Sequence, residues 1–329
     1  MIKTKRVDLA REFPLSGPLS LILEPTNLCN FACVYCPTSD PDLLRRFKVP
    51  KGNMDMKLYG SIMDSLAEFQ AESGSGPLKK LLLYKDGEPL LHPRLPEMIA
   101  LARQKGIARE IWVTTNGRLL SPELNLRLIE AGLSGIRVSV VSMSTEGYRE
   151  LAGVGFDLNR LRDNLGHLKA HRTHTKIIAK MIDAGLPGKE KQAFDRFFSP
   201  VTDGCFLEEV TGWSLSAEKD FTLGQDLKKV VEKRSTPHKQ VCASPFYSLA
   251  VNFNGMVSAC CVDWAYKTIL GDLSKQSFAQ VWRGEALREF RRMHLMKQRS
   301  QNPACRNCDY MATHPDYLDP WAEEMLARL

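Results

Sequence analysis

Three thiols, Cys29, Cys33 and Cys36, fall within the stretch CNFACVYCPTS. Thiolates are soft ligands that suit zinc or iron–sulfur clusters. Three are one short of a closed tetrahedral zinc site, and the C-x3-C-x2-C spacing is not a pair of C-x2-C knuckles. A four-iron cube held by these three thiols would keep one iron open to an outside ligand. A second group lies far downstream, Cys242-x17-Cys260-x44-Cys305-x2-Cys308. Four thiols ending in C-x2-C could close an all-thiolate zinc site or hold a cluster. Cys261 adjoins Cys260, and in a strand the two point to opposite faces, so one of them is expected to be a ligand.

The elements that must position these residues alternate. Short apolar runs at 19–25, 79–84, 110–116, 135–141, 176–183 and 205–211 read as strands. Between them lie helical patterns at 54–72, 95–106, 121–132, 157–172 and 189–199. Ser121 and Pro122 form a helix start, and Gly106 and Gly132 form helix stops. Six such strands imply right-handed parallel crossovers, hence an α/β fold that is an open doubly wound sheet or an incomplete barrel. Residues 214–240 are polar and irregular and read as a linker. Asn254-Gly255 between alternating apolar residues predicts a β-hairpin within 246–261. With a helix at 287–298 it makes a smaller cysteine-rich α+β domain. The expected division is 1–213, a linker at 214–240, and 241–329.

The unusual residues gather at the carboxyl ends of the strands. The cysteine triad follows the first, Asp86-Gly87-Glu88-Pro89 the second, and Asn116-Gly117 ends the third. Ser139, Ser142 and Ser144 lie along the end of the fourth, Asp183 ends the fifth, and Thr211 with Trp213 ends the sixth. Parallel α/β folds bind ligands at that end, so one active site is expected there.

The triad with Tyr35 before its last cysteine resembles the signature of the radical SAM (S-adenosylmethionine) superfamily. The resemblance covers most of residues 19–213 and implies a partial (β/α)6 barrel. It implies that Cys29, Cys33 and Cys36 hold a [4Fe–4S] cluster whose open iron chelates SAM. Reductive cleavage of SAM then gives a 5′-deoxyadenosyl radical that abstracts hydrogen from the substrate, with flavodoxin or ferredoxin as the outside electron donor. Gly87-Glu88-Pro89 is similar to the family's Gly-Gly-Glu-Pro turn toward the SAM amino group, with Asp86 in place of the first glycine. Asn116, Ser139 and Lys180 match positions near the SAM ribose or carboxylate. Residues 242–310 resemble a Twitch or SPASM-type domain, which implies a second [4Fe–4S] cluster on Cys242, Cys260, Cys305 and Cys308.

Cys261 is then a small buried residue or a hydrogen-atom donor, and Cys205 is core or such a donor. Glu208 or Glu209 would face the cavity as a substrate ligand or base. Trp213 lines the pocket or packs under the linker. His167, His171 and His174 read as a solvated helix end.

The net charge of +7 comes without a basic stripe interleaved with aromatics, which speaks against nucleic acid. No apolar run reaches the ~20 residues of a membrane span, and the start of the chain lacks an apolar signal core. Nine cysteines then point to a reducing, cytoplasmic setting. Three function classes follow. The domain plan resembles enzymes of the 2-deoxy-scyllo-inosamine dehydrogenase type, which implies oxidation of a carbinol carbon in a sugar or aminocyclitol. Epimerisation of a sugar with a cysteine donor is a variant. The second class is a SPASM-type peptide maturase, against which stands the short stretch of about 18 residues before the first strand. The third, a non-enzymatic zinc module, conflicts with the open triad.

Overall fold

Apolar and polar residues alternate along the central strands, and the fold turns that alternation into two different surfaces. The computed structural model describes residues 6–215, 218–226, 238–308 and 310–329. Strands β1 (Ser20–Leu23), β2 (Leu78–Leu83), β3 (Ala108–Thr115), β4 (Gly135–Val140), β5 (Lys176–Asp183) and β6 (Gly204–Glu209) lie side by side in chain order. All five pairings among them are parallel. Leu21, Leu81, Val113, Val138 and Ala179 form one apolar face. Helices α1 (Met56–Ser73), α2 (Leu95–Gln104), α3 (Pro122–Glu130), α4 (Thr145–Ala152), α5 (Leu158–His171) and α6 (Gly188–Phe198) alternate with the strands. Side chains two residues apart share a face, so Trp112, Arg137, Ser139, Lys180 and Glu208 sit on the opposite side. There Phe206 stays 41% exposed. A parallel sheet covered on both faces would be apolar on both. Polar residues on the inner face mark it as the lumen of an incomplete barrel.

The expected strands and helices of this half all form. The structure adds α4, in a stretch that the strand and helix patterns of the sequence leave unassigned. Ser144 is its N-cap and accepts from the Gly147 amide at 3.0 Å.

The C-terminal part continues the barrel's own sheet. β7 (Ser248–Val251) pairs in parallel with β1, Ser20 opposite Ser248. β8 (Met256–Ser258) and β9 (Ile269–Asp272) follow antiparallel. The sheet order is β6-β5-β4-β3-β2-β1-β7-β8-β9. The free edge of β1 is thereby covered, which removes an unpaired row of backbone groups. Asn254-Gly255 forms the hairpin turn as expected, with Gly255 at φ 87° where a side chain would be strained. β9 and the short helix α7 (Phe278–Trp282) were not expected. α8 (Glu285–Leu295) matches the expected helix apart from its ends. In the expected linker, Leu215 and Phe221 pack with Leu43 and Trp264. Its residues 216–217 and 227–237 lie outside the described residues.

Candidate active site

The cysteine triad sits on a loop after β1 that is pinned on two sides. The Ala32 and Val34 amides donate to the Ala152 and Leu151 carbonyls at the end of α4 at 2.8 and 2.9 Å. On the other side the Glu88 amide donates to the Leu28 carbonyl at 2.8 Å. Gly87 makes this approach possible: a Cβ there would lie 2.4 Å from the Thr26 carbonyl oxygen. The Glu88 carboxylate is buried and accepts from Thr115 Oγ1 at 2.6 Å, from the Asn116 amide at 2.7 Å and from the Leu90 amide at 3.0 Å. It therefore ties the turn to the end of β3, and burial holds its carboxyl up near about 7. Asn116 Nδ2 donates to Asn30 Oδ1 at 2.7 Å, inside the cysteine loop. Trp213 packs beneath the same loop and donates to the Tyr35 carbonyl at 3.1 Å. Tyr35 itself is partly buried beside Phe31 and Tyr148.

Burial pushes the thiol of Cys33 up to about 12 and that of Cys29 up to about 11. Cys36 shifts the same way, opposed by hydrogen bonds from Thr38. Cys29 is exposed at the rim of the loop while Cys33 and Cys36 are partly buried, and thiols raised in this way need a cationic partner to become thiolates, which an iron–sulfur core would provide.

The second set converges. Cys242, Cys260, Cys305 and Cys308 line one cavity with His294 and Arg299. Arg299 Nη1 donates to the Cys305 and Cys308 carbonyls at 2.5 and 3.1 Å, fixing that loop. Burial raises the thiols of Cys242, Cys260 and Cys305. The same argument fits an iron–sulfur core here. Cys260 and Cys261 lie in a turn beyond β8 rather than within a strand. Cys261 turns from the cavity toward Tyr310 and the Lys85–Asp86 pair.

Between the two sets lies a charge cluster that sequence reasoning missed. Lys85 is ion-paired with Asp86, both side chains sealed from solvent. Lys85 Nζ also reaches the Asp263 carbonyl at 3.5 Å, and buried Glu24 accepts from the Asp86 and Phe253 amides, each at 3.1 Å. The signal available was Asp86 at a glycine position with lysine before it.

On the lumen wall, Ser139 and Lys180 are register partners. Lys180 is ion-paired with Glu208 on the next strand. Tyr84 and Arg137 meet nearby, and Arg137 Nε is buried without a partner among the described residues. Both were also missed, because an arginine or tyrosine within a strand carries no motif. Glu209 alternates to the other face. So does Cys205, the register partner of the core residue Ala179, 3.4 Å from Thr202 Oγ1. That placement puts the Cys205 thiol on the helix-facing side of the sheet, the side that the core reading of this residue expects, and away from the lumen. His167 and His171 stack at the C-terminal end of α5, at 4.0 Å between centroids.

The fold and site define an incomplete α/β barrel with two thiol-lined cluster sites. Residues 23–198 match the Radical SAM superfamily and residues 242–309 an iron-sulfur cluster-binding domain, SPASM. The chain belongs to the radical SAM superfamily, and it is an enzyme that uses SAM and iron–sulfur clusters. GTP 3',8-cyclase of Chlorobaculum tepidum is 30% identical over 126 residues, 38% of this chain and 34% of that protein. The match therefore spans about a third of that relative's length. The solved structure of BtrN in complex with AdoMet and 2-DOIA aligns at 19% identity with a TM-score of 0.56, covering 88% of this chain and 92% of that one. Streptococcus suis SuiB bound to precursor peptide SuiA aligns at 14% identity with a TM-score of 0.58, covering 92% of this chain and 72% of that one. These two likenesses show the fold. No helix among the described residues is long and apolar enough to cross a membrane.

Proposed function

We propose that this enzyme oxidises a carbinol carbon of a small polar substrate, a sugar or aminocyclitol, to a ketone. The observation that carries this is the polar lumen wall, where Tyr84, Arg137, Lys180 and Glu208 offer donors and an acceptor to a substrate rich in hydroxyl groups. Cys29, Cys33 and Cys36 hold the SAM-binding cluster, and Cys242, Cys260, Cys305 and Cys308 hold the auxiliary one. When bound, these groups supply the hydrogen-abstracting radical and the acceptor for the remaining electron. Tyr35 and the Gly87-Glu88-Pro89 turn shape the SAM pocket, with Asn116 holding the cysteine loop. Ser139 and Lys180 face SAM from the lumen. Glu208, kept beside Lys180, takes the substrate hydroxyl proton on its carboxylate.

Two other readings have support. Cys261, partly buried beside Tyr310, is the thiol that would return hydrogen in an epimerisation. The likeness to SuiB supports a peptide substrate as well as the likeness to BtrN supports a small one.

The test is anaerobic reconstitution and assay against polyols, aminocyclitols and peptides. About eight irons per chain are expected, falling to about four in Cys29→Ala with loss of SAM cleavage. A product lighter by two hydrogens supports oxidation. Unchanged mass with solvent deuterium, abolished by Cys261→Ala, would establish epimerisation instead. Turnover of peptide alone would move the chain to the maturases.

A further inference from the structure

We propose that His294 donates a hydrogen bond to the Cys305 sulfur and thereby raises the reduction potential of the auxiliary cluster, fitting that cluster to accept an electron. The inference deepens the proposed function and rests on it for the cluster's role as acceptor.

His294 lies on α8, 1% exposed, its ring edge-on to Phe290 at 4.8 Å between centroids. Nε2 lies 3.8 Å from Cys305 Sγ, on the wall of the cavity that the four cysteines share. Nδ1 is buried without a partner among the described residues. A neutral imidazole carries one proton, and its position decides what the ring does. On Nδ1 it would be a buried donor with nothing to bond. On Nε2 it points at sulfur. The second arrangement leaves only a lone pair unmet, so it is favoured. An N–H bond to a thiolate is charge-assisted and strengthens as the sulfur gains negative charge. It therefore stabilises the reduced cluster over the oxidised one, and hydrogen bonds to cluster sulfurs are a known determinant of potential. Arg299, anchored on the Cys305 and Cys308 carbonyls, adds a cation that acts in the same direction.

Nothing local in the chain signals this pairing. His294 stands in a helix of charged residues, RRMHLMKQ, with no metal-binding spacing. Only the packing of α8 against the turn carrying Cys305 brings ring and thiol together.

The test is a spectroscopically monitored redox titration of the full chain with both clusters loaded. Adding SAM perturbs one signal and marks the other as auxiliary. In His294→Leu the auxiliary midpoint should fall by a tenfold change in the one-electron equilibrium, about 59 mV, with the SAM-sensitive midpoint unmoved. His294→Gln, whose amide can reach the same sulfur, should restore most of the shift. Iron content should stay near eight per chain in both variants. Equal midpoints in Leu variant and parent would overturn the proposal. So would equal shifts in Leu and Gln, which would mark packing, or loss of iron in either, which would mark the ring as needed to hold the cluster. No substrate enters this titration, so its failure is distinct from failure of the dehydrogenase reading, which product mass decides.

Discussion

Glu88 illustrates how a single residue here serves position before chemistry. Its carboxylate accepts from Thr115, Asn116 and Leu90, so both oxygens are engaged in holding the turn to the end of β3. Burial raises its carboxyl from 4.5 to about 7. A raised acid binds its proton more tightly in the folded chain, so its contribution is complete below pH 4.5 and is lost as pH rises through about 7. The loss over that window is roughly 3 kcal/mol. Denaturant midpoints measured across the window should therefore decline with a steeper slope in the parent than in Glu88→Gln, which cannot titrate. Equal slopes would show that Glu88 is already ionised in the fold.

Elements are set by close approaches that side chains would forbid. The turn after β2 reaches the cysteine loop only because residue 87 has no Cβ. In Gly87→Ala the new atom would meet the Thr26 carbonyl oxygen at 2.4 Å and Asn27 Cα at 2.6 Å, both backbone atoms that cannot swing aside. Overpacking of this kind costs about 1–3 kcal/mol. The turn should withdraw from the loop, and SAM cleavage should fall while the auxiliary cluster, built on other elements, keeps its iron. Equal losses at both clusters would mean that the turn supports the whole fold rather than the triad loop.

For the whole molecule, the decisive contact is between the barrel and the C-terminal strands. β7 extends the barrel sheet, and the Glu24, Lys85, Asp86 and Asp263 cluster lies across the join. Lys85→Met leaves buried Asp86 without its ion-pair partner and removes the cation whose charge Glu24 and Asp263 also feel. Removing one partner of a buried ion pair costs roughly 3–5 kcal/mol. Thermal unfolding should show that loss in one cooperative transition. A variant in which the C-terminal part melts separately would show that the charge cluster, rather than the shared sheet, couples the halves. The cluster also adjoins both thiol sets, since Cys36 feels the charge of Asp86 and Cys305 that of Asp263.

Legible in the sequence were the α/β class, the close spacing of the three thiols and the gathering of polar turns at one end of the strands. Each of these is local: thiol spacing, strand and helix periodicity, and turn chemistry are written within a few residues. Tertiary structure alone decided that β7 covers the edge of β1, that Cys205 faces the helices, and that Lys85, Arg137 and His294 meet their partners. Those outcomes depend on pairs far apart in the chain, such as Ser20 with Ser248, and on which face a strand turns inward. A shift of one residue in register would exchange the faces, so the same amino acids could have lined either the lumen or the core until the sheet was assembled.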